Sequence, residues 1–149
     1  LIQQLDKVND WQTAVRIASK PLLEQGYIEE SYVEAIISSV NEIGPYIVLA
    51  PKVAVPHASP DAGVHRLGIS LLQLKKPVNF GLEDDEDKNV QLIFVLATVD
   101  STAHLKALQQ LALILDDDEV IENLIKAEMP EEILGLIEKV IEEGGEWDD

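Results

Sequence analysis

The chain has 149 residues, one domain's worth, and 46% of them are apolar, enough to bury a core. It contains no cysteine, which excludes disulfides, thiolate zinc sites and a thiol nucleophile, and its formal net charge of -17 excludes the basic patches that nucleic acids and anionic membranes attract. No run approaches the roughly 20 apolar residues of a membrane span, and the N-terminus lacks the basic-then-apolar pattern of a signal peptide, so a cytoplasmic protein without membrane insertion is expected.

In chain order, Asp10 is placed to cap a first helix from Trp11 to Gln25, with Gly26 just past its end. Trp11, Ala14, Ala18 and Leu22 form its apolar face, and Pro21 should kink or divide it. Ser31 to Val40 read as a second helix, closed by Gly44-Pro45. Tyr46 to Leu49 form a short strand, and Val53-Ala54-Val55-Pro56-His57 is a strand that a proline stops. Leu67 to Leu74 and Val90 to Val99 are apolar runs of the kind found in strands buried on both faces. The acidic run Glu83-Asp84-Asp85-Glu86-Asp87 between them reads as a solvated loop. Asp100-Ser101-Thr102 offers capping chemistry for a helix from Ala103 to Leu115. A short helix from Glu119 to Ala127, capped by Asp118, and a last helix from Pro130 to Ile141 complete the pattern. Residues 142–149 read as a frayed tail. The alternation implies an α/β fold: a mixed β-sheet flanked by helices on both faces, in one domain over residues 1–149.

Without cysteine, the three histidines are the strongest neutral-pH nucleophiles and bases. His57 follows a strand and a proline, at the kind of strand end where ligands of sandwiched sheets gather. His104 lies in the first turn of the helix after the most buried strand, where unpaired amides and the helix dipole favour an anion. His65 sits in the loop Asp61-Ala62-Gly63-Val64-His65-Arg66 and reads as a surface residue. The histidines match no metal spacing, and neither a serine-hydrolase elbow nor a P-loop occurs. The residues alone leave three readings open: a phosphoryl carrier, a binding module, and a small-molecule enzyme using the His pair as acid and base.

Ala54-Val55-Pro56-His57-Ala58 resembles the active-site motif of the IIA components of the mannitol–fructose superfamily of the bacterial sugar phosphotransferase system. Ala103-His104-Leu105-Lys106-Ala107-Leu108-Gln109-Gln110-Leu111 resembles the leucine-rich helix that carries the family's second histidine, and the 47-residue separation fits. Gly44-Pro45-Tyr46-Ile47-Val48-Leu49-Ala50-Pro51 and Pro77-Val78-Asn79-Phe80-Gly81 make the chain most similar to the ascorbate-type branch. One feature departs from the mannitol type: where those members carry an arginine, the nearest residue here is Ser39. Arg66 or a lysine is the substitute to look for, if there is one.

The resemblance implies a cytoplasmic phosphocarrier. Phosphorylated HPr would donate a phosphoryl group to Nε2 of His57, which would pass it to a cysteine of a cognate IIB component serving a membrane IIC permease. His104 would stabilise the phosphoryl oxygens, with Ser101 as a further donor at the helix start and an apolar rim that includes Ala54, Val55 and Leu105. No metal and no organic cofactor is implied. A regulatory module of the same fold, whose phosphorylation state reports to another protein, is the alternative. The acidic surface would suit a basic partner, or would serve solubility alone.

Overall fold

Two aliphatic layers, one on each face of a sheet, organise the chain. The computed structural model describes residues 2–81 and 88–145. Its elements are β1 (Ile2–Leu5), α1 (Trp11–Glu24), α2 (Glu30–Ile43), β2 (Val48–Ala50), β3 (Lys52–Ala54), β4 (Gly68–Asn79), β5 (Asn89–Ala97), α3 (Ser101–Leu115), α4 (Asp118–Lys126) and α5 (Pro130–Gly145). One layer joins α1 and α2 to Ala54, Leu72, Leu74, Ile93 and Val95. The other joins α3, α4 and α5 to Val53, Val55, Leu71, Leu92, Phe94 and Leu96. Successive strand residues thus point to opposite layers, which is why these segments are apolar throughout. The expected mixed sheet with helices on both faces is present. Among the described residues, no helix is long and apolar enough to cross a membrane.

The strand order is β1-β4-β5-β3-β2. β1 pairs parallel with β4 and β3 parallel with β5, while β4–β5 and β2–β3 are antiparallel. Because β3 and β5 are parallel neighbours, the chain leaves both at the same edge of the sheet. His57 follows β3 and α3 follows β5, so this pairing brings together residues far apart in sequence.

Several elements differ from expectation for identifiable reasons. β1 is an additional strand: Ile2-Gln3-Gln4-Leu5 has no period-2 alternation to reveal it. Pro21 neither divides nor ends α1. The Ile17 carbonyl that the proline cannot serve takes a hydrogen bond from Gln3 Nε2 at 2.8 Å instead. β4 runs on to Asn79 through Pro77, and its register with β5 shifts between Gln73 and Val78, the irregularity that tolerates a strand proline. Asp117 rather than Asp118 caps α4, accepting from the amides of Glu119 and Val120. α5 continues to Gly145, so residues 142–145 are helical, while 146–149 and the acidic run 83–87 lie outside the described residues.

Gln73 is fully buried at the centre of the sheet. Its Nε2 donates to the carbonyls of Leu124 (2.6 Å), Ala127 (2.9 Å) and Ile125 (3.2 Å), the orphan acceptors at the end of α4, and its Oε1 accepts from Gln4 Nε2 at 2.8 Å. Burying an amide is tolerable only when it is bonded in this way. Gln73→Leu keeps the volume but strands the Leu124 and Ile125 carbonyls, while that of Ala127 keeps Lys75 Nζ at 3.1 Å. The substitution should lower the unfolding free energy by about 2–3 kcal/mol, measured by urea denaturation with the buried Trp11 as fluorescent probe.

Candidate active site

The chain leaving β3 is held at every step toward His57. The Val55 amide donates to the Ile47 carbonyl at 2.7 Å, and the Leu96 amide to the Pro56 carbonyl at 3.0 Å. Pro56 itself is buried and fixes its own φ, which gives the exit one direction. The 57–58 peptide is bonded on both sides. Tyr46 Oη donates to the His57 carbonyl at 2.6 Å, and the Ala58 amide donates to Tyr32 Oη at 3.1 Å. Tyr32 in turn donates to the Leu96 carbonyl at 2.6 Å. Burial pushes its hydroxyl up to about 12, so it stays protonated.

The imidazole of His57 is half-buried, and its Nδ1 lies 2.7 Å from the Val55 carbonyl. A carbonyl only accepts, so Nδ1 carries the proton and Nε2 keeps its lone pair. Burial is the larger influence on this ring and lowers its pKa below 6.5; the Val55 bond opposes the shift and His104 adds to it. At neutral pH the His57 imidazole is therefore uncharged. The Tyr46 ring abuts it almost perpendicularly, with centroids 5.4 Å apart and planes at 86°.

His104 sits one turn into α3, whose cap Asp100 accepts from the Ala103 amide at 2.7 Å. Its ring centroid is 5.2 Å from that of His57. Its Nδ1 lies 3.3 Å from the hydroxyl of Thr98, which is itself buried. The two rings border an open cleft of about 670 Å³ that Ser39, Ile43, Tyr46, Val99 and Ser101 also line.

The fold therefore brings His57, His104 and Ser101 to one cleft. It leaves the other candidates outside. His65 Nε2 pairs with Glu29 at 3.5 Å, both exposed, and Arg66 stacks on Tyr27 at 4.4 Å. Arg66 does not line the cleft, and among the described residues neither does a lysine or another arginine, while Asp61 and Asp100 do. Ser39 is in the lining, as is Tyr46. Ala54 and Val55 are fully buried, one in each aliphatic layer, and cannot form a rim. The exposed apolar groups in the cleft lining are Ile43 and Val99; Leu105 is exposed but is not part of the lining. Sequence reasoning overlooked Tyr32, Tyr46 and Thr98, which carry no motif of their own. The one available signal was a hydroxyl on residues otherwise read as core or strand.

The family model for the phosphoenolpyruvate-dependent sugar phosphotransferase system, EIIA 2, matches residues 1–140. The chain is 34% identical over 138 residues to the mannitol-specific cryptic phosphotransferase enzyme IIA component of Escherichia coli K12, covering 93% of this chain and 92% of that protein. It is 35% identical over 130 residues to the ascorbate-specific phosphotransferase system EIIA component of the same organism, covering 87% and 83%. Among solved structures it resembles enzyme IIA in the complex of enzyme IIAMTL and phosphorylated enzyme IIBMTL from Escherichia coli. The TM-score there is 0.79 at 28% identity, over 93% of this chain and 94% of that one.

The lowered pKa of His57 has a signed consequence. Below about 6.5 the unfolded chain takes up a proton that the folded ring resists, so the stability associated with this ring is present above that pH and is lost as the pH falls. An NMR titration should place the His57 midpoint below 6.5. His57→Gln should show a shallower loss of stability than wild type between pH 7 and 5, measured by denaturant unfolding at each pH.

Proposed function

Because the chain belongs to the EIIA 2 family of the phosphoenolpyruvate-dependent sugar phosphotransferase system, we propose that it carries a phosphoryl group on Nε2 of His57, taken from phosphorylated HPr and passed to a cysteine of a cognate IIB component. The observation that carries this reading is the bond from Nδ1–H of His57 to the Val55 carbonyl, which leaves Nε2 as the free nucleophilic atom beside His104. Attack needs no base. As the donor's P–N bond breaks, the new bond to Nε2 forms with the lone pair already there, and the proton stays on Nδ1. That retained proton keeps the ring a good leaving group for the second transfer, in which a IIB thiolate takes the phosphoryl group and neutral imidazole returns.

Phosphoryl transfer asks the protein for alignment and charge stabilisation. When the Thr98 hydroxyl donates to Nδ1, His104 has Nε2–H to offer the phosphoryl oxygens. Ser101 and the first amides of α3 add donors, each helix-end interaction being worth roughly 0.3–1 kcal/mol. The absence of lysine and arginine from the lining, and the presence of two carboxylates, suits a group that must leave again. An open cleft bordered by Ile43 and Val99 lets two proteins reach one histidine in turn. The reading places the work in the cytoplasm, upstream of a membrane IIC permease. The segments around Tyr46 and Phe80 favour ascorbate-type transport, and one of the relatives is named for ascorbate.

Incubation with enzyme I, HPr and phosphoenolpyruvate, followed by mass spectrometry that preserves acid-labile phosphate, should map one phosphoryl group to His57. His57→Ala should remove it, and His104→Ala should slow transfer on the order of 100-fold. Undiminished labelling of the His57→Ala protein ends this reading.

A further inference from the structure

The peptide bond that follows His57 has an oxygen and a hydrogen, and each is taken by a different tyrosine. Tyr46 Oη donates to the His57 carbonyl at 2.6 Å. Tyr32 Oη accepts from the Ala58 amide at 3.1 Å and is tied in turn to the Leu96 carbonyl at 2.6 Å. The two hydroxyls come from different places: Tyr32 from the buried face of α2, Tyr46 from the segment between α2 and β2. From these contacts we infer that Tyr32 and Tyr46 are positioning residues, clamping the 57–58 peptide so that His57 holds its proton on Nδ1 and presents Nε2 to the cleft.

The Nδ1–Val55 bond spans only two residues, so it exists only while the backbone between them keeps its angles. A flip of the 57–58 peptide turns about ψ of His57, downstream of the ring, so it leaves the imidazole in place but withdraws the carbonyl on which the Tyr46 hydroxyl, and with it the Tyr46 ring, is anchored. Each tyrosine blocks the flip, because turning the plane would bring carbonyl toward the Tyr32 oxygen and N–H toward the Tyr46 hydroxyl. The Tyr46 ring, so anchored, is what restrains the imidazole. Standing at 86° to the imidazole, it opposes the half-turn about χ2 that would exchange Nδ1 with a carbon. Burial raises the pKa of the Tyr46 phenol, so the hydroxyl remains a donor across the working range. The clamp is attached to rigid parts, α2 on one side and β5 on the other, which is what positioning to within fractions of an ångström requires.

The inference rests on the carrier reading for its purpose, but not for its test. Tyr46→Phe keeps the ring and removes the hydroxyl. Long-range ¹H–¹⁵N spectra of the unphosphorylated wild type should show His57 as one tautomer, with Nδ1 protonated and Nε2 bare. In Tyr46→Phe the two nitrogen shifts should move toward each other as the second tautomer becomes populated, while the thermal midpoint stays close to wild type. Labelling of His57 by phosphorylated HPr should slow about tenfold. Tyr32→Phe should shift the same spectrum, accompanied by a loss of stability, since it leaves the Ala58 amide and the Leu96 carbonyl without their shared partner. Identical imidazole spectra in wild type and Tyr46→Phe overturn the clamp. Shifted spectra with an unchanged labelling rate overturn its role in positioning for transfer. Shifted spectra in a protein whose wild type accepts no phosphoryl group refute the carrier reading and leave the tautomer clamp standing.

Discussion

A parallel pair of strands must release its two chains at the same edge of a sheet, and β3 and β5 are such a pair. Everything at the cleft follows from that geometry. β3 hands over to Pro56 and His57, β5 to Thr98 and the cap of α3, and the two exits are neighbours although 47 residues separate the histidines. If β3 lay antiparallel to β5, its exit would open at the opposite edge. The antiparallel partners β2 and β4 hold the pair in place without contributing a functional exit.

The cleft sets the state of the His57 ring by subtraction. Among the described residues its lining holds no lysine or arginine; burial strips water from the ring, the Val55 carbonyl accepts a hydrogen bond from Nδ1–H, and the neutral tautomer with Nε2 bare is what remains. Those means are short-range, so the chain's large negative charge does not defeat them, and they withstand salt better than an ion pair would. The carboxylate nearest the helix start is already engaged: Asp100 accepts from the Ala103 amide, so part of the positive end of α3 is spent on its own cap.

Much of this was legible in the sequence, and what was not has physical causes. Long apolar runs announced β4 and β5, and apolar spacing with Asp10 and Asp100 as caps announced α1 and α3. The Pro-His exit and the histidine at the start of α3 stood out because both break an apolar pattern. β1 did not, because four residues with polar neighbours in the middle have no period. The continuation of β4 past Pro77 was hidden because an irregular register excuses a residue that the pairing rules forbid. Tyr32 and Tyr46 were hidden for a different reason. A tyrosine at an apolar position reads as core, and Tyr32 is core; its hydroxyl gains meaning only when three other segments of chain meet it.

The proline in α1 shows how a defect can carry information. Pro21 deprives Ile17 of its helical partner, and a carboxamide from the edge strand β1 fills the vacancy. Only one mutual placement of helix and strand allows that. Sliding α1 by a residue, or slipping β1 against β4, turns Gln3 away and leaves a carbonyl facing nothing. A perfect helix would satisfy itself and accept several seatings on a smooth aliphatic sheet. The imperfect one works like a notched key, and its notch selects the alignment in which β1 completes the sheet.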